Sequence, residues 1–140
     1  MTSDMDDLPP GYRPYDEPSP FLDRIGPLYQ KDGEAGPVFG LRVLDYHCNR
    51  RGIVHGGLLV SFADIVLGKT MSWSQDPPAR LLTASLSVDF IGAGRLGDWI
   101  EAVCDTQRIG RRLAFANCYL SVEGRNIARA SGAFSVADGG

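Results

Sequence analysis

The chain has little of what several common functional classes require. Its only lysines are Lys31 and Lys69, and its formal net charge is −3. That balance excludes a general nucleic-acid binder, which would carry a basic surface. Histidine occurs only at His47 and His55, and the three cysteines, Cys48, Cys104 and Cys118, are odd in number and far apart. The spacing excludes a disulfide framework and points to reduced thiols. No Cys/His grouping has the spacing of zinc ligands, so no metal is expected. No apolar run is long enough to span a bilayer. The N-terminus, MTSDMDDLPPG, lacks an apolar signal region. The expectation is a cytoplasmic protein without a membrane partner.

With 140 residues, one core is expected. Pro9, Pro10, Pro14 and Pro18 stand among acidic residues and read as a loosely docked arm over 1–18. Ser19-Pro20 reads as an N-cap followed by a first-turn proline. Phe21, Leu22, Ile25, Leu28 and Tyr29 then follow at roughly helical spacing, with Gly26-Pro27 stopping a short helix. Residues 1–35 are therefore assigned to an arm with a short helix, and 36–140 to the main domain. Val38 to Tyr46 leans to strand.

The stretch from Asn49 to Trp73 organises the rest. A turn and a doubled glycine, Gly56-Gly57, precede a helix that is apolar on nearly every side. Such a helix belongs inside the protein. One carboxylate, Asp64, sits in its middle, and a buried unpaired carboxylate is costly enough to need a partner or a task. Gly57, Ser61, Asp64 and Gly68 fall on one stripe. Gln75-Asp76-Pro77-Pro78 stops the helix. From Leu82 to Phe90, Leu82, Ala84, Leu86, Val88 and Phe90 alternate with polar residues, as in a strand with one buried face. Three more strands follow, near 98–108, 112–122 and 126–136, with turns at Gly110 and at Glu123-Gly124-Arg125. This predicts an α+β fold in which an antiparallel sheet wraps one long central helix. One sheet cannot cover that helix on all sides, so at least a homodimer is expected.

Asn49, His55-Gly56-Gly57 and Asp64, opening a helix and followed by a Leu/Thr/Ser-rich strand and by Asp89-Phe90-Ile91 and Arg95-Leu96-Gly97-Asp98, resemble the hotdog-fold acyl-CoA thioesterases of the phenylacetic-acid-pathway type. The likeness covers roughly residues 36–137. It implies hydrolysis of an acyl-CoA thioester without a metal or a separate cofactor, coenzyme A being part of the substrate. It implies a homodimer, or a dimer of dimers, with sites at the subunit interface. It makes Asp64 the general base or nucleophile, the Gly57 N–H the donor to the thioester carbonyl, Asn49 the holder of the carbonyl or of the attacking water, and Thr83 a water-positioning residue. His55 falls at the helix start, where a scaffolding role is favoured over acid–base catalysis. Arg95, Arg111 and Arg112 match segments that lie beside the nucleotide, and arginines suit phosphate.

Spacing adds a geometric expectation. Seven residues of helix separate Gly57 from Asp64 by about 10 Å, whereas reacting groups must meet within about 3–3.5 Å. A composite site is therefore expected, with Gly57 and Asn49 from one chain and Asp64 and Thr83 from its neighbour. The rival readings are a non-catalytic acyl-CoA-binding module of the same fold and, further off, a hydratase or dehydratase.

Overall fold

The computed structural model describes residues 7–137. Part of the sequence-predicted arm, residues 1–6, lies outside them. Seven strands form one sheet: β1 (Arg13–Pro14), β2 (Tyr29–Gly33), β3 (Gly36–Arg42), β4 (Leu81–Phe90), β5 (Trp99–Ile109), β6 (Leu113–Val122) and β7 (Arg125–Val136). Their order is β1-β2-β3-β5-β6-β7-β4, with every neighbouring pair antiparallel. A four-residue helix, α1 (Leu22–Ile25), precedes β2, and the long helix α2 (Gly56–Trp73) lies between β3 and β4.

The apolar residues of α2 do as their pattern dictates. Leu58, Leu59, Phe62, Ala63, Val66, Leu67 and Met71 are buried, and the helix packs on β3, β4, β5, β6 and β7. From the sheet, Phe39, Leu41, Ile100, Leu120, Ile127 and Phe134 meet them in one core. The helix is not enclosed all round, however. Gly57 is exposed, and Ser61, Asp64, Ile65, Gly68 and Lys69 are only half-buried, so the small-and-polar stripe is the face left open in a single chain.

The N-terminal region differs from expectation. Residues 13–14 and 29–33 join the sheet, so its pairing begins well before residue 36. Tyr29, placed in a helical pattern by its spacing, instead opens β2 opposite Gly40. The segment between is pinned as well. Ser19 Oγ accepts the N–H of Leu22 at 3.1 Å, but α1 starts later than the Ser19-Pro20 reading, with Phe21 at its N-cap position. The Tyr46 hydroxyl donates to the Gly26 carbonyl. Buried His47 accepts the Leu44 N–H at Nδ1 (2.9 Å), which leaves Nε2 as donor to the Ile25 carbonyl at 2.5 Å.

β4 carries the other departure. Strict alternation would turn Leu82 and Ala84 inward and Thr83 outward. A bulge between Thr83 and Ser85 inserts one residue, so Thr83 pairs with Phe134 and Ser85 with Ala133. The extra residue reverses the faces beyond it. Leu86 and Val88 pack on the core, as does Leu81 on the far side of the bulge, while Leu82 is 71% exposed. β4 is also an edge strand, and Leu82, Phe90 and Ile91 leave its apolar surface open to solvent.

Candidate active site

Two groups of candidate residues form, one at each end of the accessible stripe of α2. The first gathers at the helix start. Asn49 opens a tight loop in which its side-chain oxygen accepts the N–H groups of Arg51 (2.9 Å) and Ile53 (3.3 Å). This Asx geometry is a favoured use of asparagine in a turn. The loop closes where the His55 N–H reaches the His47 carbonyl at 2.8 Å, and Ile53 bridges to Arg95. Asn49, Arg95 and the start of α2 are thereby held in one region.

His55 is the N-cap of α2. Its Nδ1 accepts the Gly57 N–H at 2.8 Å. This has a consequence for the expected oxyanion donor. The Gly57 N–H is already engaged, and a carbonyl approaching it must share or displace the imidazole. The Gly56 N–H, one residue earlier, takes no partner among the described residues. A helix start offers such N–H groups together with the positive end of its dipole.

The second group lies two turns further along. Asp64 and Thr83, 19 residues apart, meet because the β4 bulge turns Thr83 towards α2. The Thr83 hydroxyl donates to Asp64 Oδ1 at 2.5 Å. The other carboxylate oxygen, Oδ2, takes no hydrogen bond among the described residues. Both side chains line a cleft of about 570 Å³. Sheet register brings Arg111 and Arg112 to this same end. Leu113 pairs with Ser135, which pairs with Leu82, so the β5–β6 turn lies two strands from the Thr83 row. At a strand spacing of about 4.8 Å that is roughly 10 Å. Arg108, Arg111 and Arg112 line an open groove of about 700 Å³ there.

The structure does not bring the two groups together within one chain. Asn49, His55 and Gly57 do not line the Asp64 cleft. Arg95 precedes β5 and Arg111 follows it, and the eleven residues of that strand span roughly 33 Å. Of the polar residues that line the cleft, sequence reasoning singled out Asp64 and Thr83 but not Glu17, Lys69 or Arg80, and it did not place the arm there. Tyr15, Glu17, Phe21 and Leu22 form part of its wall. No local signal ties that segment to Asp64. Among the described residues, no group of three or more His, Cys, Asp or Glu side chains is placed to hold a metal, and no helix is long and apolar enough to cross a membrane.

Comparison with known proteins places this arrangement. The sequence profile of the thioesterase superfamily matches residues 51–128. A Pseudomonas aeruginosa protein provisionally named an esterase is 40% identical over 131 residues, which cover 93% of this chain and 98% of that protein. Among solved structures, zebrafish thioesterase superfamily member 2 superposes with a TM-score of 0.77 at 24% identity, over 85% of this chain and 88% of its own. A hypothetical thioesterase of Streptococcus pneumoniae, solved with coenzyme A, gives 0.72 at 21% identity, over 79% and 85%. A mutant of the phenylacetic acid degradation protein PaaI of Thermus thermophilus gives 0.71 at 24%, over 84% and 98%. With its long helix against an antiparallel sheet and a profile match that takes in the helix and its glycine-led start, the chain belongs to the hotdog-fold thioesterase superfamily.

Proposed function

We propose that this protein hydrolyses an acyl-CoA thioester with an aryl or medium-chain acyl group, releasing the free acid and coenzyme A. The observation that carries this reading is the Thr83–Asp64 pair at the cleft. A carboxylate stands on an otherwise apolar helix, with one oxygen fixed by a hydroxyl at 2.5 Å and the other unengaged. That geometry suits Asp64 to take a proton from water as general base, or to attack the carbonyl carbon itself. Water adds to that carbon, the C–S bond breaks, and the sulfur leaves as thiolate and takes up the proton. Charge developing on the carbonyl oxygen needs donors. The start of α2, with Gly56, Gly57 and Asn49, supplies them on this reading, and Arg111 and Arg112, with Arg95, hold phosphates of the nucleotide.

In one chain those donors are too far from Asp64, which supports a homodimer whose sites are shared across the interface. The exposed apolar edge of β4 and the open stripe of α2 are the surfaces that a second copy would cover. A dimer of dimers remains compatible. A cytoplasmic setting fits the free thiols of all three cysteines.

One observation favours the binding-module reading instead: His55 occupies the Gly57 N–H. The hydratase reading is weakened because His55 is hydrogen-bonded to the backbone through Nδ1 and meets no acidic side chain among the described residues. The deciding experiment is thiol release from phenylacetyl-, benzoyl-, hexanoyl- and palmitoyl-CoA, with wild type and Asp64→Ala side by side. Turnover that falls at least about 100-fold in the variant is expected. Binding without turnover in either protein would establish the module, and turnover surviving the substitution would remove Asp64 from the chemistry.

A further inference from the structure

The cleft beside Asp64 is not built by the helix and sheet alone. One wall is Ile65 and Gly68 of α2 with Leu81 and Phe134 of the sheet, and the facing wall is the arm, through Tyr15, Phe21 and Leu22. The arm is joined to α2 by the Glu17 carboxylate, which meets the Lys69 ammonium at 2.6 Å. Tyr15 adds a second attachment, stacking on Trp73 at the end of α2 with ring centroids 6.1 Å apart. Phe21, a large aromatic on this wall, is 54% exposed.

The polar side chains around the cleft are largely spoken for. Ser19 Oγ accepts the Leu22 N–H, Ser72 Oγ donates to the Ala79 carbonyl at 2.6 Å, and Lys69 and Glu17 satisfy each other. The lining is mixed: Phe21, Leu22, Ile65, Leu81 and Phe134 are apolar, while Asp64, Lys69, Arg80 and Thr83 bring polar and charged groups. Apolar carbons of an acyl group that reach the arm side leave water against Phe21 and Leu22. The floor is set by Gly68. A Cβ built on it would sit 3.4 Å from Phe134 Cε2, which is ordinary contact, so this position can carry a side chain at the expense of cleft volume.

We propose that residues 15–22 are the acyl-recognition wall of the site, that Gly68 sets the room available to the acyl group, and that the Glu17–Lys69 pair fixes the wall against α2. The ligand class is an acyl group of limited bulk whose carbons lie against the apolar residues of the arm. This inference rests on the reading of Asp64 as the reacting carboxylate.

The test is a substrate series of acetyl-, hexanoyl-, phenylacetyl- and palmitoyl-CoA against wild type, Gly68→Ala, Gly68→Leu and Lys69→Met. Gly68→Ala is the safe variant for folding, because alanine is the better residue within a helix. Gly68→Leu should lower kcat/KM for hexanoyl- and phenylacetyl-CoA by about tenfold or more relative to acetyl-CoA, the scale at which an apolar pocket resolves methylene-sized changes. Gly68→Ala should fall between. Lys69→Met should narrow the preference for hexanoyl- over palmitoyl-CoA. A uniform fall across the series, or no change in any member, would overturn the inference while hydrolysis by wild type upheld the thioesterase reading. Were wild type to hydrolyse nothing, calorimetric affinities for hexanoyl-CoA and free CoA would decide. A preference for hexanoyl-CoA that Gly68→Leu erases supports the wall, and one that the substitution leaves intact overturns it.

Discussion

The proposed sharing of a site between two chains gives a prediction whose size can be worked out in advance. Asp64→Ala removes the carboxylate, and Asn49→Ala removes the side chain that ties the loop before α2. Gly57 and Asp64 lie about 10 Å apart along one helix, three times the separation at which groups can serve one reacting carbonyl. The residues around them divide the same way, with Arg95 beside the Asn49 loop and Arg112 near Thr83. Suppose that each site takes Asn49 from one chain and Asp64 from the other across a two-fold axis. In an equimolar mixture assembled at random, half of the dimers are mixed. Each mixed dimer has one site with both groups intact and one with neither, so activity should return to about one quarter of wild type. Were each site built from one chain, every site would keep one defect and activity would stay at the level of the two variants. The assay is thiol release from a turned-over acyl-CoA, using chains with two different tags that are co-expressed and purified through both. The doubly tagged dimer should then show about half of the wild-type rate per dimer. A verified mixed dimer with no recovery would refute the reasoning.

Three further outcomes are expected. Thr83→Val removes a hydrogen bond to a carboxylate; at about 1.5 kcal/mol, the low end for such bonds, kcat should fall roughly tenfold with KM little changed. Thr83→Ser should restore most of it, and Thr83→Val should add nothing in an Asp64→Ala background. Gly40→Ala places a Cβ 2.1 Å from Trp99 Cζ2, so the indole must move. Overpacking of this kind costs about 1–3 kcal/mol, or a fall in Tm of about 3–10 °C by calorimetry, and the fall should be smaller when Trp99 is Ala. The hydrogen bond from Lys69 holds the Glu17 carboxyl below its usual range. A depressed carboxyl contributes docking of the arm above its unfolded value of about 4.3, and that contribution is lost as pH falls through the lower folded value. Hydrogen-exchange protection factors over residues 15–22, taken against the intrinsic rate at each pH, should therefore fall at acid pH in wild type, and Glu17→Gln should show the lower protection already at neutral pH.

Much of the fold can be read locally. The helix from Gly56 to Trp73 declares itself by length, apolar content and the doubled glycine at its start, and Asp64 stands out because a charge on such a helix is expensive. β5, β6 and β7 are marked by period-two patterning and by short turns, and hairpin partners are neighbours in sequence. The Asn49, His55-Gly56-Gly57 and Asp64 spacing carried the family before any contact was known, because those residues lie within one turn and one helix.

Tertiary structure decided the remainder, and in each case the cause is a contact between distant parts of the chain. Tyr29 fitted a helical spacing, but its backbone pairs with Gly40, and the partner strand is what makes it β. Thr83 would face outward by simple alternation. The bulge that turns it to Asp64 is a mismatch in the pairing of β4 with β7, and no pattern within β4 records it. The arm reads as loose by composition, yet Glu17 finds Lys69 from 52 residues away and its neighbours wall the cleft. The choice of His55 as a cap depended on where its ring could reach, and only the folded loop from His47 to His55 fixed that. Sequence marked the long helix and the strands from β4 onward, and it singled out the candidate residues. Which of those candidates lie near one another in the folded chain depends on the sheet's register and on the docking of the arm, pairings that no local pattern encodes.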